Sequence, residues 1–408
     1  MTRIKDSGNP WVREIPSDWF EKKLRYLVKL RGEKSVTTDY KKYVGLENIM
    51  SQTGQYVQTG IEVDLTENLT FEVGDILFGK LRPYLRKYWR AEFSGTASSE
   101  FVIIKGSSLN LNFLFWAIQS DSFINDVDSS TYGSKMPRAS WEYMKNIKLP
   151  FPESIEEQTK IADFLDKKVT QLDKVKSLLE EQIKTLEDYR QSLIYETVTK
   201  GLDKTAPLKD SGVDWIGQIP EGWEIRKIGS MYSERSEKVS DKDYPPLSVT
   251  KKGILPQVEG VAKTDNGDNR KLVKKGDFVI NSRSDRKGSS GIAKQDGSVS
   301  LINIVLENSL RVSDLYYNFL FRSVLFAEEF YKWGNGIVAD LWSTHWTAMK
   351  KIGIPVPPLK DQEEISYFLE KRTTQLDELI DIKQKQIDNI NKQRQTLIYD
   401  YVTGKRRI

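Results

Sequence analysis

The chain has 408 residues, 38% of them hydrophobic and 29% charged, with a net charge of +4. That suits two or three domains with real cores and a charged surface, and a mildly basic chain is compatible with nucleic acid without requiring it. Cysteine is absent and His345 is the only histidine, which excludes disulfides, thiolate catalysis, cysteine zinc sites and histidine metal clusters. There is no apolar run of transmembrane length and no signal-peptide centre near the N-terminus, so a cytoplasmic protein is expected.

In chain order, the sequence opens on Lys5-Asp6-Ser7-Gly8, followed by Trp11, Ile15, Pro16, Trp19 and Lys23. Strands are expected at Tyr43–Ile49, Phe71–Phe78 and Phe101–Lys105, and a helix at Leu111–Phe123. The run Ile147 to Pro152 reads as a closing strand ended by proline. From Thr159 to Thr199 there is no Pro or Gly, and Leu, Lys, Glu and Gln abound, which predicts one long helix. Gly201 suits its C-cap and Pro207 stops continuation. The pattern then starts again. Lys209-Asp210-Ser211-Gly212, Trp215, Ile219, Pro220, Trp223 and Lys227 repeat the opening at an offset of 204. A helix over Ser313–Phe330, a closing strand from Ile352 to Pro358 and a second long helix follow.

The long helices carry the repeat most clearly. Glu363 to Thr403 lies on Thr159 to Thr199 without a gap, with 17 of 41 positions identical. Leu165, Leu172, Leu179, Leu186 and Leu193 recur every seven residues, and Ile161, Val175 and Tyr189 are assigned to the alternate line of a coiled-coil seam. Ile365, Leu369, Leu376, Leu379, Ile390 and Leu397 follow the same lines in the second copy. Each helix would span roughly 60 Å and needs a partner for its stripe; the other copy, packed antiparallel about an approximate two-fold axis, is the economical one. Gln182 and Gln386 hold equivalent positions near the middle. They would either fix register in the seam or lie at its edge in water. Glu156, Glu157 and Asp361 suit the positive end of each helix dipole.

No catalytic motif emerges. Gly74 to Lys80 matches a phosphate-loop spacing, but Leu81 replaces the magnesium-binding hydroxyl and the interior reads as a strand. No Gly-rich nucleotide loop and no amino-methyltransferase signature occur. The positive signal is basic and aromatic. Lys80, Arg82, Arg86, Lys87 and Arg90 fall between Gly79 and Arg90 with Tyr84, Tyr88 and Trp89 among them, and no acidic residue intervenes. The corresponding place in the second half holds Asn281, Ser282, Arg283, Ser284, Asp285, Arg286, Lys287 and Gly288. Before the closing strands stand Tyr132 to Arg138, with Ser134, Lys135 and Arg138, and Trp333 to Gly336, with Asn335. Arg and Lys grip phosphates, and Arg can also read guanine bidentately, so these loops are the candidate DNA contacts.

These features together resemble the specificity subunits of type I restriction-modification systems. The resemblance rests on Asp-Ser-Gly-x-x-Trp-x-x-x-Ile-Pro-x-x-Trp, on Gly74-Asp75-Ile76-Leu77 (more loosely Gly276-Asp277-Phe278-Val279), on the proline closures with Glu157-Gln158 and Asp361-Gln362, and on the helices ending Leu-Ile-Tyr. It implies an α+β fold with two tandem target recognition domains, over 1–158 and 209–362. Long helices over 159–200 and 363–408 would pair as an intramolecular antiparallel coiled coil, with 201–208 as linker. It implies a non-catalytic chain in a bacterial cytoplasm that reads a bipartite double-stranded DNA target. Modification (methyltransferase) and restriction subunits would be its partners, and S-adenosylmethionine, ATP and magnesium would sit on them. The rival expectation is a coiled-coil interaction scaffold whose basic loops are incidental.

Overall fold

The computed structural model describes all residues except 1–2, 10–11, 37–41, 60–66, 132–135, 258–266 and 337–341. Among the described residues, the α-helices are α1 (Leu111–Ala117), α2 (Asp121–Ser129), α3 (Trp141–Met144), α4 (Ile155–Lys200), α5 (Asp314–Arg322), α6 (Val324–Lys332), α7 (Trp346–Met349) and α8 (Leu359–Val402). The chain divides into two compact units, of which the first joins two stretches of sequence and the second is continuous. One comprises residues 1–181 with 383–408, the other residues 182–382.

The first unit opens on an antiparallel pair, Ile4–Asn9 with Val12–Pro16. The Asp6 carboxylate accepts the Gly8 N–H (2.8 Å) and Gly8 takes φ +63°, which explains Asp-Ser-Gly at this turn. Trp19–Lys23 pairs with the closing strand Lys148–Pro152, so the two ends of the globular segment meet. Between them lies an antiparallel sheet in the order Val28–Leu30, Phe101–Ser107, Ile76–Gly79, Tyr88–Arg90. A second sheet orders Lys34–Val36, Glu67–Phe71, Gly95–Ala97 and Tyr43–Val44. The apolar core joins the first sheet to α1, α2 and both long helices, through Phe78, Phe113, Phe123, Leu165, Val169, Ile398 and Val402.

The second unit repeats the plan. Leu208–Asp210 pairs with Gln218–Pro220, and Glu224–Lys227 with the closing strand Gly353–Val356. The main sheet runs Tyr232–Glu234, Asn303–Asn308, Phe278–Asn281, Ser290–Ile292. Its core joins α5, α6 and the long helices through Tyr316, Phe321, Phe326, Val198, Ile365 and Leu369.

Several expected elements are shorter than periodicity suggests. The expected strand Phe71–Phe78 is two strands separated by a turn at Gly74, where φ is +89°. Tyr43–Val44 gives way to a 3-10 turn at Leu46–Asn48. The expected helix at Leu111–Phe123 breaks at Ser120, whose hydroxyl caps α2 by accepting the Phe123 N–H. Ser323 does the same between α5 and α6 for Phe326. The chain turns a corner without losing its apolar stripe, so the stripe hides the corner from a periodicity search.

Both long helices are continuous, and they start at Ile155 and Leu359, ahead of the expected Thr159 and Glu363. They run antiparallel. In the first unit Asp173 of α4 meets Arg394 of α8 (3.4 Å) and Phe164 meets Tyr401. In the second, Arg190 meets Asp377 (3.2 Å). The leucine line is in the seam, from buried Leu165 to half-buried Leu172, Leu179, Leu186 and Leu193, with Leu369, Leu376 and Leu397 opposite. The alternate line is the expected one only at its start, where Ile161 and Ile365 are buried. Val175, Tyr189 and Leu379 point to solvent, and Gln182 and Gln386 are exposed. The seam instead takes Val169, Lys176, Ile183 and Arg190, and at the same offset Thr373, Ile380, Ile387 and Arg394. Polar register devices exist, but they are arginines. Arg190 and Arg394 are equivalent at the offset of 204, and so are their partners Asp377 and Asp173. The ion pair forms twice at equivalent positions, with Arg394 buried and Arg190 half-exposed, and such a repeated polar pair suits one stagger of the helices.

Candidate nucleic-acid interface

One buried frame positions the candidate loops in each unit. Gly74 (φ +89°) and Gly276 (φ +96°) make the turn before the central strand. The next residue, Asp75 or Asp277, is buried. Asp75 accepts Arg31 Nε at 2.6 Å and the Glu72 N–H at 2.9 Å. Asp277 accepts Arg235 Nε at 2.7 Å and the Lys274 N–H at 2.8 Å. Each aspartate raises the pKa of its arginine through that bond. Sequence reading found the Gly-Asp pairs but missed Arg31 and Arg235, which repeat at the same offset of 204 as the opening motif.

The closure signatures also have a physical reason. The Trp19 indole donates to Glu157 (3.4 Å) and the Trp223 indole to Asp361 (3.1 Å). Buried Gln158 donates to the Pro152 carbonyl and accepts from the Asn110 N–H; buried Gln362 does the same with Pro357 and Ser313. Strand end, long helix and α1 or α5 are thereby locked together in each unit.

The strand after each aspartate then delivers its loop to the segment preceding the closing strand. In the first unit the Arg82 N–H bonds the Pro137 carbonyl (2.8 Å), and Leu81 bridges Arg138. In the second the Ser284 N–H bonds the Trp342 carbonyl (3.0 Å), and Arg283 bridges Ser343. The described parts of the two candidate stretches therefore adjoin in each unit. The bridges also set the correspondence between the loops: the counterpart of Arg283 is Leu81, and that of Arg82 is Ser284.

Within the first unit the candidates separate into two groups. Tyr84 is exposed, and Arg82 is half-buried in the left-handed region (φ +50°). Arg138 is half-exposed and forks onto Glu100, with Nε at 3.0 Å. Lys80 lines the same cleft of about 550 Å³; burial lowers its pKa and the Glu100 charge opposes that. Lys87 and Arg86 turn inward. Lys87 Nζ donates to the carbonyls of Leu46 (2.6 Å) and Ile49 (2.9 Å), and burial lowers its pKa. Arg86 pairs with Asp121 and the Gln119 carbonyl. These two hold the loop rather than face outward. Ser134 and Lys135 lie outside the described residues.

The second unit presents a different surface. Asn281 accepts the Arg283 N–H on its side-chain oxygen, Ser282 is buried, and Asn335 exchanges backbone bonds with Ser343. Arg283 Nε lies 3.0 Å from Asp285, and Arg286, largely exposed, 3.6 Å from the same residue. Lys287 pairs with Glu328 of α6. A cleft of about 730 Å³ opens beside the loop, lined by Trp215, Trp342, Tyr331 and Lys287 among others. The antiparallel pair Leu247–Thr250 and Gly253–Pro256 packs against Ser290–Ile292, with Lys251 and Lys252 exposed at its tip. Sequence reading missed this pair; the Thr-Lys-Lys-Gly turn between alternating apolar residues was the available signal.

The repeated frame, with its loops at matching places, has a counterpart among known proteins. The profile of the family described as "Type I restriction modification DNA specificity domain" matches residues 16–187 and again 220–392. The chain belongs to this family. It carries two copies of the specificity domain, each ending inside a long helix. The type I restriction enzyme MjaVIII specificity subunit of Methanocaldococcus jannaschii is 24% identical over 97% of this chain and 94% of its own length. A putative MjaX specificity subunit of the same organism is 26% identical over 65% of this chain and 60% of its own length. Among solved structures, the fold is similar to a chain from a study of complex assembly and conformational transition of the type I R-M system. That match has TM-score 0.72 and 18% identity and covers 96% of this chain and 99% of that one. It is also similar to the HsdS subunit of Thermoanaerobacter tengcongensis, with TM-score 0.51, 18% identity and 96% and 98% coverage.

Proposed function

We propose that this chain is the specificity subunit of a type I restriction-modification complex and reads a bipartite double-stranded DNA target. Each unit reads one half-site through the loop after its Gly-Asp turn and the segment before its closing strand. The observation that carries this reading is the pairing of one repeated frame with two unlike loop surfaces at the same place. In the first unit the outward candidates are Lys80, Arg82, Tyr84 and Arg138. In the second they are Asn281, Arg283, Arg286 and Asn335, with Lys287 beside them. Arginine forks suit guanine edges and amides suit adenine, so two such surfaces select different bases.

The paired helices act as spacer and as docking post. Val175 and Leu178 of α4, and their equivalents Leu379 and Ile382 of α8, are each about half exposed. An aliphatic pair left in water twice, at the same offset, suits two equivalent partner subunits. We assign these partners as modification (methyltransferase) subunits carrying S-adenosylmethionine, joined by restriction subunits carrying ATP and magnesium. The chain itself performs no chemistry, and it works in the cytoplasm on DNA. Removing one heptad from both helices is expected to change the spacer between half-sites and to leave the half-site sequences alone.

The test is methylation mapping across the genome with and without the gene, joined to a shift assay of the purified chain with its methyltransferase partner. A split methylated motif that vanishes with the gene, and retention of DNA carrying it, are expected. No change in methylation together with no DNA retention would leave the interaction-scaffold reading standing.

A further inference from the structure

We infer that Arg86 is a positioning residue for half-site reading by the first unit: its side chain fixes the shape of a strained recognition loop without contacting DNA. The inference rests on the reading of the two units as half-site readers and assigns a role that reading does not contain.

The segment 82–86 is strained at both ends. Arg82 (φ +50°) and Arg86 (φ +55°) occupy the left-handed region, flanking the 3-10 turn Pro83–Leu85. A side chain with a Cβ adopts this conformation only where its surroundings enforce it, and such residues gather at ligand-binding loops. At the Arg82 end the enforcement is the backbone bond to Pro137. At the Arg86 end it comes from three directions. The Arg86 carbonyl accepts the Gln52 N–H at 3.1 Å. Its guanidinium pairs with Asp121, in the first turn of α2, and donates to the Gln119 carbonyl at 3.3 Å. The Gln395 amide of α8, turned with its nitrogen toward Asp121 (3.1 Å) and its oxygen toward Arg86 (3.3 Å), completes the enclosure. Buried Gln119 also accepts from Arg394 of α8 at 3.4 Å, so the loop is tied to the same seam arginine that pairs with Asp173 of α4.

The second unit shows what the loop does without this device. The strand pairing places Gly288 at the position of Arg86, because Phe78 pairs with Tyr88 as Ile280 pairs with Ser290. Gly288 takes φ +80° with open space where a Cβ would stand. Glycine adopts that conformation without enforcement. At the position of Asp121 stands Val324. A non-glycine residue in the first unit, at a place where glycine suffices in the second, marks a side chain retained for its contacts. Those contacts orient the loop that carries Lys80, Arg82 and Tyr84. The basic side chain at 86 is therefore a buttress, and base discrimination in the first half-site depends on it at one remove.

The test uses the full chain in complex with its methyltransferase partner, with methylation rates measured on a library of duplexes varied at each position of both half-sites. The variants are Arg86→Ala, Arg86→Lys and Asp121→Asn, the last at a partly exposed site where the fold is retained. Arg86→Ala and Asp121→Asn are expected to lower discrimination at one half-site by about tenfold, with the other half-site unchanged, and Arg86→Lys to restore part of the loss. Unaltered discrimination in Asp121→Asn and Arg86→Ala, or equal loss at both half-sites, overturns the inference. A wild-type library profile without two independent half-sites would instead refute the underlying reading, and the two failures are thereby told apart.

Discussion

The two units share what is buried and differ in what is presented. Arg31 with Asp75 and Arg235 with Asp277, Gln158 and Gln362, Trp19 and Trp223 are the same devices in the same geometry. Beyond the end of the strand that follows the buried aspartate, the resemblance stops. Lys80 faces Ser282 in the alignment, Glu100 faces Ile302, Arg138 faces Ser343 and Arg86 faces Gly288. A buried ion pair tolerates little change, because losing one partner strands the other in low dielectric. A loop residue at the surface has no such constraint. The difference teaches where specificity can vary without cost to folding.

The comparison can be broken most forcefully at the frame. Asp75→Ala and Asp277→Ala are each expected to cost about 3 kcal/mol, read as lost hydrogen-exchange protection in the unit that carries the change and not in the other. Unequal losses would show that the two frames are not equivalent. Next in size are the presented residues. Arg283→Ala and Arg138→Ala should each weaken binding by about 1–3 kcal/mol if the side chain reads a base, with the loss confined to sites bearing that base. A uniform loss with a shallower salt dependence would mark a phosphate contact instead.

The helix ends give the smallest and finest contrast. Gly201 (φ +76°) and Gly404 (φ +73°) cap α4 and α8 and pack on the opening motifs of their units. A Cβ at Gly201 would meet the Trp223 ring at 3.2 Å, while one at Gly404 would meet Pro16 at 2.5 Å. Gly201→Ala is expected to cost about 1 kcal/mol and Gly404→Ala somewhat more, visible as a lower Tm. Equal effects would mean that the two ends dock with the same tightness.

Much of this architecture is legible in the sequence, since a repeat at a fixed offset exposes the frame directly. The alternate seam line was legible only at its start, at buried Ile161 and Ile365. Both candidate lines on α4 offer apolar residues, Ile161 and Val175 on one, Val169 and Ile183 on the other. Hydrophobicity therefore ties, and the decision falls to Arg190 and Arg394, whose aspartate partners lie on the opposite helix. The site was half legible. A basic residue looks the same in sequence whether its charge meets solvent or a backbone carbonyl, so Lys87 and Arg86 read as DNA contacts until their partners are seen. The loop correspondence was hidden for a simpler reason. The frame repeats at 204, but the Gly-Asp strands repeat at 202, and the loop correspondence shifts with them.

The central claim is that two units with one frame read DNA independently. Exchanging residues 30–145 for the matching segment of another specificity subunit, followed by methylation mapping in cells, tests it most directly. The account predicts that one half-site changes to that of the donor while the other half-site stays as it was. Alteration of both half-sites, or of neither, would contradict it.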